Sequence, residues 1–284
     1  MPEPGHEHDV EIGENYIDNL MKNWPHSRDQ LHNGGWKATK FMVKELHLDK
    51  GKHLLDLCCG EGGTARWLAR TYHRKVTGID ILEKAIAFAQ KQAILEKIEQ
   101  LVTFVQGNVF KLPFPDNTFD IIYGQDPDGI AHHERVNIFR ECWRVLHSGG
   151  TLGFQHWILQ NRISQEVIDQ IEDINENLIG YHYLTQIKPV PQEILDRFDN
   201  INAELGFSSM KRLTVNAYLT DLLNAGFRKF EVIDLSEMYE EHMRAMEEIA
   251  NAKEPGSLDT WTKLILNYFD QGYKIGVMIK AFKI

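Results

Sequence analysis

The chain has 284 residues, of which 43% are hydrophobic and 10% aromatic, and this apolar content supports a packed core and excludes global disorder. Its formal net charge of −10 argues against a nucleic-acid partner, because such proteins present a basic face. The cysteines and histidines lack the spacing of a metal site, so we expect no bound metal. The sequence also lacks a signal-peptide pattern and an apolar run of membrane-spanning length, which predicts a cytoplasmic protein without a membrane partner.

Residues 1–49 are predicted to form a tail and a helical N-terminal flap. The first 14 residues are polar and suggest a mobile tail. The helical pattern that follows is interrupted by Trp24-Pro25 and by Asn33-Gly34-Gly35, both of which are typical of turns.

Strands and helices alternate at short intervals in residues 50–157. The predicted strands are 54–58, 75–80, 102–107, 119–124 and 151–157, and the predicted helices are 64–72, 82–95 and 134–146. A turn at Ser148-Gly149-Gly150 is expected before the fifth strand. Such alternation predicts an α/β fold, namely a doubly wound, mostly parallel sheet with helices on both faces.

The alternation stops at residues 158–213, which are helix-rich, aromatic and charged. Because compact domains rarely contain structureless loops of this length, we interpret the segment as a helical cap insert. Residues 214–284 are predicted to complete the core sheet with a helix at 215–225, a strand at 229–234, a helical stretch at 236–270 and a last strand at 273–282.

The most informative segment is residues 53–63, an apolar run that carries Asp56 and breaks into a glycine-rich turn. The apolar run predicts a buried parallel strand. The glycines would allow a backbone to approach a ligand closely, where a Cβ atom would clash. With the helix that follows, the segment predicts a nucleotide-binding turn.

Two classes of nucleotide fit this turn. The run from Gly60 to Ala65 fits the GxGxxG/A pattern of dinucleotide-binding proteins, and Asp80 lies where those proteins carry a ribose-binding acid. Asp56, however, would repel a pyrophosphate and attract a cationic amino group. An NAD-dependent oxidoreductase is therefore the remote alternative.

Two further segments follow the turn in a set order. Residues 107–120 read Gly-Asn-Val-Phe-Lys-Leu-Pro-Phe-Pro-Asp-Asn-Thr-Phe-Asp, and residues 144–150 read Arg-Val-Leu-His-Ser-Gly-Gly. Together with the glycine turn they resemble the class I S-adenosylmethionine-dependent methyltransferases over residues 50 to 157. The resemblance implies a Rossmann-like sheet of seven strands, the last one antiparallel, and S-adenosyl-L-methionine as the cofactor.

The resemblance also implies a role for eight residues. Asp56, Gly60 and Gly62 would contact the methionine part of the cofactor, and Gln125 would face the same end. The adenosine part would meet Asp80 at the ribose hydroxyls, Ile81 on the adenine face, and Asn108 and Val109 at the adenine edge. Cys58 and Asn108 depart from the family, in which many members have glycine and aspartate at these positions.

Two segments outside the expected cofactor site resemble the sarcosine/dimethylglycine-type small-molecule methyltransferases. Tyr123-Gly-Gln-Asp126 followed by His132 is similar to their Ser-Gln-Asp…His segment, with Gly124 in place of the serine. His32-Asn-Gly-Gly-Trp36 is similar to the His-x-Gly segment that closes over the cofactor in that group and related C-methyltransferases.

His132 is the first candidate for a proton acceptor or substrate-orienting group, and His156, at the end of the fifth predicted strand, is the second. A metal cluster of Asp126, Asp128, His132 and His133 is conceivable but lacks a firm ligand spacing.

These observations predict methyl transfer from S-adenosylmethionine to a small metabolite, with an amine nitrogen as the favoured acceptor. The alternative is C- or O-methylation of a bulkier prenyl-like or aromatic molecule. A protein that binds S-adenosylmethionine without turnover stays open as another class. The expected partner is a small molecule, and a homo-oligomer is compatible with the sequence.

Overall fold

The computed structural model describes residues 32–50, 53–127, 135–160, 163–171, 187, 190–204, 214–254, 256, 258 and 260–284. The predictions for the N-terminal tail, for His132 and His133, and for much of the cap insert lie outside these residues. The division of the chain into flap, core, cap and completing segment stays a prediction.

The described part of the chain contains one sheet of seven strands. They are β1 (His53–Leu57), β2 (Lys75–Asp80), β3 (Val102–Gln106), β4 (Phe119–Gln125), β5 (Leu146–Leu159), β6 (Lys229–Asp234) and β7 (Ile275–Phe282). Their order is β3-β2-β1-β4-β5-β7-β6. Neighbouring strands from β3 to β5 are parallel, and β7 is antiparallel to both β5 and β6. The predicted α/β sheet with an antiparallel last strand is confirmed.

Helices connect or flank these strands. In chain order they are α1 (Gly35–Glu45), α2 (Gly63–Tyr72), α3 (Glu83–Leu95), α4 (Arg135–Val145), α5 (Gln165–Ile168), α6 (Gln192–Glu204), α7 (Val215–Ala225), α8 (Ser236–Lys253) and α9 (Thr260–Asp270). The stretch predicted as one helical region between β6 and β7 is therefore two helices, α8 and α9. No helix in these described ranges combines the length and apolar character needed to cross a bilayer.

Strand β1 lies inside the sheet, between β2 and β4. Leu54, Leu55 and Leu57 are fully buried. In register, Asp56 lies beside Gly78 of β2 and Tyr123 of β4. An apolar run with one acidic residue thus becomes a buried strand that carries a carboxyl group toward its own end.

Strand β5 is longer than predicted, and it includes the expected turn at residues 148–150. The Gly149 N–H donates to the Lys283 carbonyl at 2.7 Å, and the Lys283 N–H donates to the Gly150 carbonyl at 3.0 Å. Leu146 also pairs with Phe119 of β4. Gly149 has a φ of +79°, and the pairing of β4 with β5 shifts register between Phe119 and Ile121. The glycines thus form an irregularity within β5 that residues distant in the chain hold in place.

Candidate functional site

The carboxyl ends of the parallel strands meet at one edge of the sheet, where open α/β folds place their ligands. Asp80 and Gln125 are the last residues of β2 and β4, and Asp56 lies one residue before the end of β1. Gln125 lies opposite Gln155 of β5. The fold therefore brings most of the residues singled out in the sequence to a common edge.

The glycine turn follows β1 and is closed by backbone hydrogen bonds. The Cys59 N–H donates to the Ile79 carbonyl at 3.0 Å, and the Gly62 N–H donates to the Cys59 carbonyl at 2.9 Å. Cys58 has a φ of +57°, a left-handed conformation that costs a residue with a side chain about 1 to 2 kcal/mol. Glycine at this position in many family members would avoid that cost.

The space left by the missing side chain of Gly62 is occupied by other residues of the protein. A Cβ atom at this position would lie 2.5 Å from the Phe104 ring of β3 and 3.0 Å from the Cβ of Ala89 in α3. Its φ is +73°. The space that sequence reasoning assigned to ligand approach is therefore filled by close packing of the turn against β3, and a backbone contact of Gly62 with a ligand stays a prediction.

The Asp80 carboxylate is fixed by backbone donors. The Gly60 N–H donates to Oδ2 at 2.8 Å, and the Leu82 N–H donates to Oδ1 at 3.0 Å. A carboxylate has about four lone pairs, so the group can also accept from a hydroxyl group of a ligand. Burial raises the pKa of Asp80, and the N–H groups of Leu82, Gly60 and Ile81 oppose that rise.

The Asp56 carboxyl is buried beside Asp80. Burial raises its pKa to about 8, against the opposing effect of the Tyr123 hydroxyl. The nearby Asp80 carboxylate adds to the rise, and the Ala65 N–H opposes it. At neutral pH the group therefore carries a proton until a cation approaches, so the negative charge expected from the sequence depends on the ligand.

The adenine-edge candidates lie in the loop after β3. The Asn108 side-chain oxygen accepts from the Phe110 N–H at 2.9 Å, which leaves one lone pair on that oxygen and the amide N–H groups for a ligand. Val109 is partly buried against the core, and Ile81, in the turn after β2, is also partly exposed. These positions are compatible with the predicted adenine contacts, which stay predictions.

Gln125 links the glycine turn to the N-terminal helix. Its Oε1 accepts from the Thr64 hydroxyl at 2.9 Å, and its Nε2 donates to Gln155 Oε1 at 2.8 Å. Gln155 in turn donates to the Ala38 carbonyl of α1 at 2.9 Å. The amide chain holds α1 over the carboxyl ends of β4 and β5.

Asp126, directly after β4, holds the segment before α1. Its Oδ2 accepts from the Asn33 backbone N–H at 2.7 Å and from Asn33 Nδ2 at 2.9 Å. The neighbouring His32 ring is within 2.9 Å of the Thr39 hydroxyl through Nε2. The segment that sequence similarity placed over the cofactor is thus located at this edge.

His156 of β5 is buried next to Asp126. Its Nδ1 accepts from the Trp157 backbone N–H at 2.9 Å and lies 3.7 Å from Asp126 Oδ1. The ring packs against Tyr218 of α7 with centroids 5.7 Å apart. In this geometry a neutral ring carries its hydrogen on Nε2. The proton-acceptor role of His156 stays a prediction, and it would require Nδ1 to exchange its backbone donor for a substrate proton.

The segment that contains these residues is similar to a known protein family. A family described as "Methyltransferase domain" matches residues 54–150, which contain the glycine turn, Asp80, Asn108 and Gln125. Residues 54–150 therefore match the methyltransferase domain family.

Proteins similar to this domain are named for different substrates. A sterol 24-C-methyltransferase of Gibberella zeae is 30% identical over 135 residues, which are 46% of this chain and 34% of that protein. Phosphoethanolamine N-methyltransferase 3 of Arabidopsis thaliana is 37% identical over 118 residues, 41% of this chain and 23% of that protein. The chain thus spans about a third or less of these relatives' length.

The fold of the whole chain is also shared with solved structures. A protein assigned as a sarcosine dimethylglycine methyltransferase from Galdieria sulphuraria superposes with a TM-score of 0.67 at 15% identity. The superposition covers 94% of this chain and 98% of that protein. At this identity the likeness shows the fold alone.

The residues around the methyltransferase domain's glycine turn fit the cofactor that such domains use. The Asp80 carboxylate can accept a hydrogen bond from a ribose hydroxyl group. Asp56 is a buried carboxyl group that a cationic amino group would ionise and stabilise. Among the described residues, no cluster of three or more metal-ligating side chains is present.

Two residues at this edge, Gln155 and Tyr239, were not predicted from the sequence. Gln155 has a detectable signal, because it is a polar residue inside the apolar run of β5. Tyr239 of α8 reaches Asp126 Oδ1 with its hydroxyl at 3.4 Å, and it lies in a segment interpreted only as a helical excursion. No local pattern marks it, because its place depends on how α8 packs against the sheet.

Proposed function

We propose that this chain transfers a methyl group from S-adenosylmethionine to a small molecule and that the accepting atom is an amine nitrogen. The cofactor, when bound, supplies a methyl group on a sulfonium sulfur. The acceptor's lone pair forms the new bond to carbon while the carbon–sulfur pair stays on sulfur. The protein therefore has to align the acceptor, exclude water and keep its lone pair available.

The Asp126 carboxylate is the observation that carries the amine assignment. It is buried at the carboxyl end of β4, next to Gln125. Within the described residues its hydrogen-bond donors are the neutral groups of Asn33 and Tyr239, and neither Lys nor Arg pairs with it. A buried carboxylate without a cationic partner favours a cation. An alkylammonium acceptor would supply that charge and could lose its proton to this carboxylate before attack.

The aromatic residues at the same edge favour a second candidate, C-methylation of a bulkier acceptor. The Trp157 and Tyr239 rings pack 5.0 Å apart. Ring faces next to a carboxylate can stabilise a carbocation formed when an alkene accepts a methyl group. The sterol-directed name of one relative agrees with this alternative.

A turnover assay separates the candidates. The purified chain is incubated with methyl-labelled S-adenosylmethionine and, in separate reactions, sarcosine, dimethylglycine, phosphoethanolamine, geranyl diphosphate, a sterol and a phenol. We expect label on an amine. Label on the prenyl or sterol compound alone would replace the amine assignment with C-methylation, and label on the phenol alone would indicate O-methylation.

Thermal-shift measurements complete the test. S-Adenosylmethionine and S-adenosylhomocysteine should raise the melting temperature, and NADH should not. Stabilisation by S-adenosylmethionine without any transfer would indicate a binding protein. Stabilisation by NADH alone would contradict the proposal.

A further inference from the structure

The first turn of helix α8 is hydrogen-bonded to residues of three other elements. The amide nitrogen of the buried Gln160, just past β5, shares its two hydrogens among Asp234 Oδ1 at 2.5 Å, the Ser236 hydroxyl at 3.0 Å and the Gly276 carbonyl at 3.0 Å. Asp234 Oδ1 also accepts from the Ser236 N–H at 2.9 Å. The start of α8 is thus tied to β5, β6 and β7, and Tyr239 lies one turn later.

The Tyr239 ring is held between the sheet and the site. It is fully buried, and it meets the Trp157 ring edge-on with centroids 5.0 Å apart. A Cβ atom at Gly276 of β7 would lie 2.7 Å from this ring. The glycine therefore lets the ring pack directly on the β7 backbone, which leaves its hydroxyl a narrow range of positions.

The hydroxyl points to the Asp126 oxygen that faces His156. Asp126 Oδ2 is occupied by Asn33, whereas Oδ1 lies 3.4 Å from the Tyr239 hydroxyl and 3.7 Å from His156 Nδ1. Because Nδ1 already accepts from a backbone N–H, it presents no hydrogen to Oδ1 in the neutral ring. Within the described residues, the donor near Oδ1 is therefore the Tyr239 hydroxyl.

We propose that Tyr239 is a positioning residue for the acceptor half of the methyl-transfer site, acting through the Asp126 carboxylate; this rests on the proposed function. Its hydroxyl sets the rotation of the carboxylate, so that Oδ1 presents a lone pair to the acceptor at a fixed place. Helix α8 is then a wall of the acceptor site as well as a connection between β6 and β7.

The test is Tyr239→Phe, which keeps the ring packing and removes the hydroxyl. The assay uses labelled S-adenosylmethionine and dimethylglycine, or the panel compound that the unmodified chain methylates fastest. We expect kcat to fall about tenfold, the loss typical of one hydrogen bond to a charged group, with the acceptor KM changed less than about twofold. The affinity for S-adenosylmethionine should stay unchanged, whereas a merely structural loss would weaken cofactor binding together with kcat.

Tyr268→Phe is the matched control. Tyr268 is also a fully buried tyrosine, and its ring packs on Tyr273 in the α9–β7 region. All kinetic constants should match those of the unmodified chain. Equal losses in both variants would show that removing any buried tyrosine hydroxyl slows the enzyme, and would overturn the assignment to Tyr239.

A double-mutant cycle tests whether Tyr239 acts through Asp126. In an Asp126→Asn background, Tyr239→Phe should produce less than about a twofold further loss, because coupled residues are not additive. A further tenfold loss in that background, or unchanged kcat for Tyr239→Phe alone, would overturn the proposal.

If the unmodified chain methylates none of the panel compounds, the proposed function has failed, and the positioning role is decided by crystal structures of the unmodified chain and of Tyr239→Phe. A rotated Asp126 carboxylate supports the role, and an unmoved carboxylate refutes it.

Discussion

At position 62 the missing side chain makes room for the Phe104 ring, and the backbone is also left-handed. Gly62→Ala should therefore lower the free energy of unfolding by about 3 kcal/mol, the sum of overpacking and backbone strain. Gly149→Ala is the control, because Gly149 has a φ of +79° but nothing within 4 Å of an added Cβ. It should lose only about 1 to 2 kcal/mol in urea unfolding. Equal losses would mean that the ring can move aside.

Asp80 depends on having two acceptor oxygens, one for the Gly60 N–H and one for the Leu82 N–H. Asp80→Asn replaces one oxygen with a donor, so one of these N–H groups loses its partner and the turn loosens. We expect calorimetry to show S-adenosylmethionine binding weakened about tenfold or more. The exposed Asp116→Asn change should leave binding as it is. Retained affinity in Asp80→Asn would remove the carboxylate from the cofactor site.

Asp80 and Gly62 differ in how far their positions and contacts could be predicted from the sequence. The position of Asp80 beside the turn could be predicted, because in nucleotide-binding folds an acidic residue follows a glycine turn at a known spacing. Its contact with a ribose stays a prediction. The role of Gly62 could not be predicted, since the ring that fills its place belongs to β3, more than 40 residues later. Local patterns locate a turn, but packing decides what each of its glycines is for.

At the scale of elements, α1 is held over the site by contacts of different kinds. Asn33 bonds the buried Asp126, whereas Lys37 pairs with Glu241 of α8 at the surface. Asn33→Asp would place two carboxylates together and should weaken docking of α1 by about 2 to 4 kcal/mol. Lys37→Ala should cost less than about 1 kcal/mol, as exposed ion pairs do.

Hydrogen exchange of the α1 amides measures this difference. Faster exchange in Asn33→Asp than in the unmodified chain is the expected outcome, because the two carboxylates repel each other. If Lys37→Ala loosened α1 as much as Asn33→Asp, the exposed pair rather than Asp126 would be the main attachment.

The alternation of strands and helices was sufficient to predict the sheet, because each βα unit carries its own hydrophobic period. The length of β5 was not predictable in the same way, since residues 148–150 are joined to the strand only through their pairing with Lys283. The role of α8 was hidden for a related reason. It arises from contacts of Tyr239 with Trp157 and Asp126, which are distant in sequence.

For the whole molecule, the buried Asp56 carboxyl makes stability depend on pH in an unusual direction. Its pKa is 3.8 in an unfolded chain and about 8 in the fold, so between these values the folded state binds more protons. The free energy of unfolding of the cofactor-free protein should therefore fall as pH rises from about 5 to about 8, by at most about 1.4 kcal/mol per unit from this group. Asp80, with its pKa also raised, acts in the same direction.

Urea unfolding at several pH values, without cofactor, tests this dependence. Asp56→Asn should have a flatter profile, because an amide does not titrate. Saturating S-adenosylmethionine should also flatten the profile of the unmodified chain, since its amino group favours the ionised carboxylate. A profile of equal slope in Asp56→Asn would show that other groups cause the dependence.

The contact between Gly276 and the Tyr239 ring has a consequence for how this protein can diverge. A side chain at position 276 and a large ring at position 239 would occupy the same space, so the two positions should change together among homologues. Lineages that keep tyrosine or phenylalanine at 239 should keep glycine at 276, and a larger residue at 276 should accompany a small one at 239. Such paired replacement would also mark lineages in which the acceptor site has been reshaped for a different molecule.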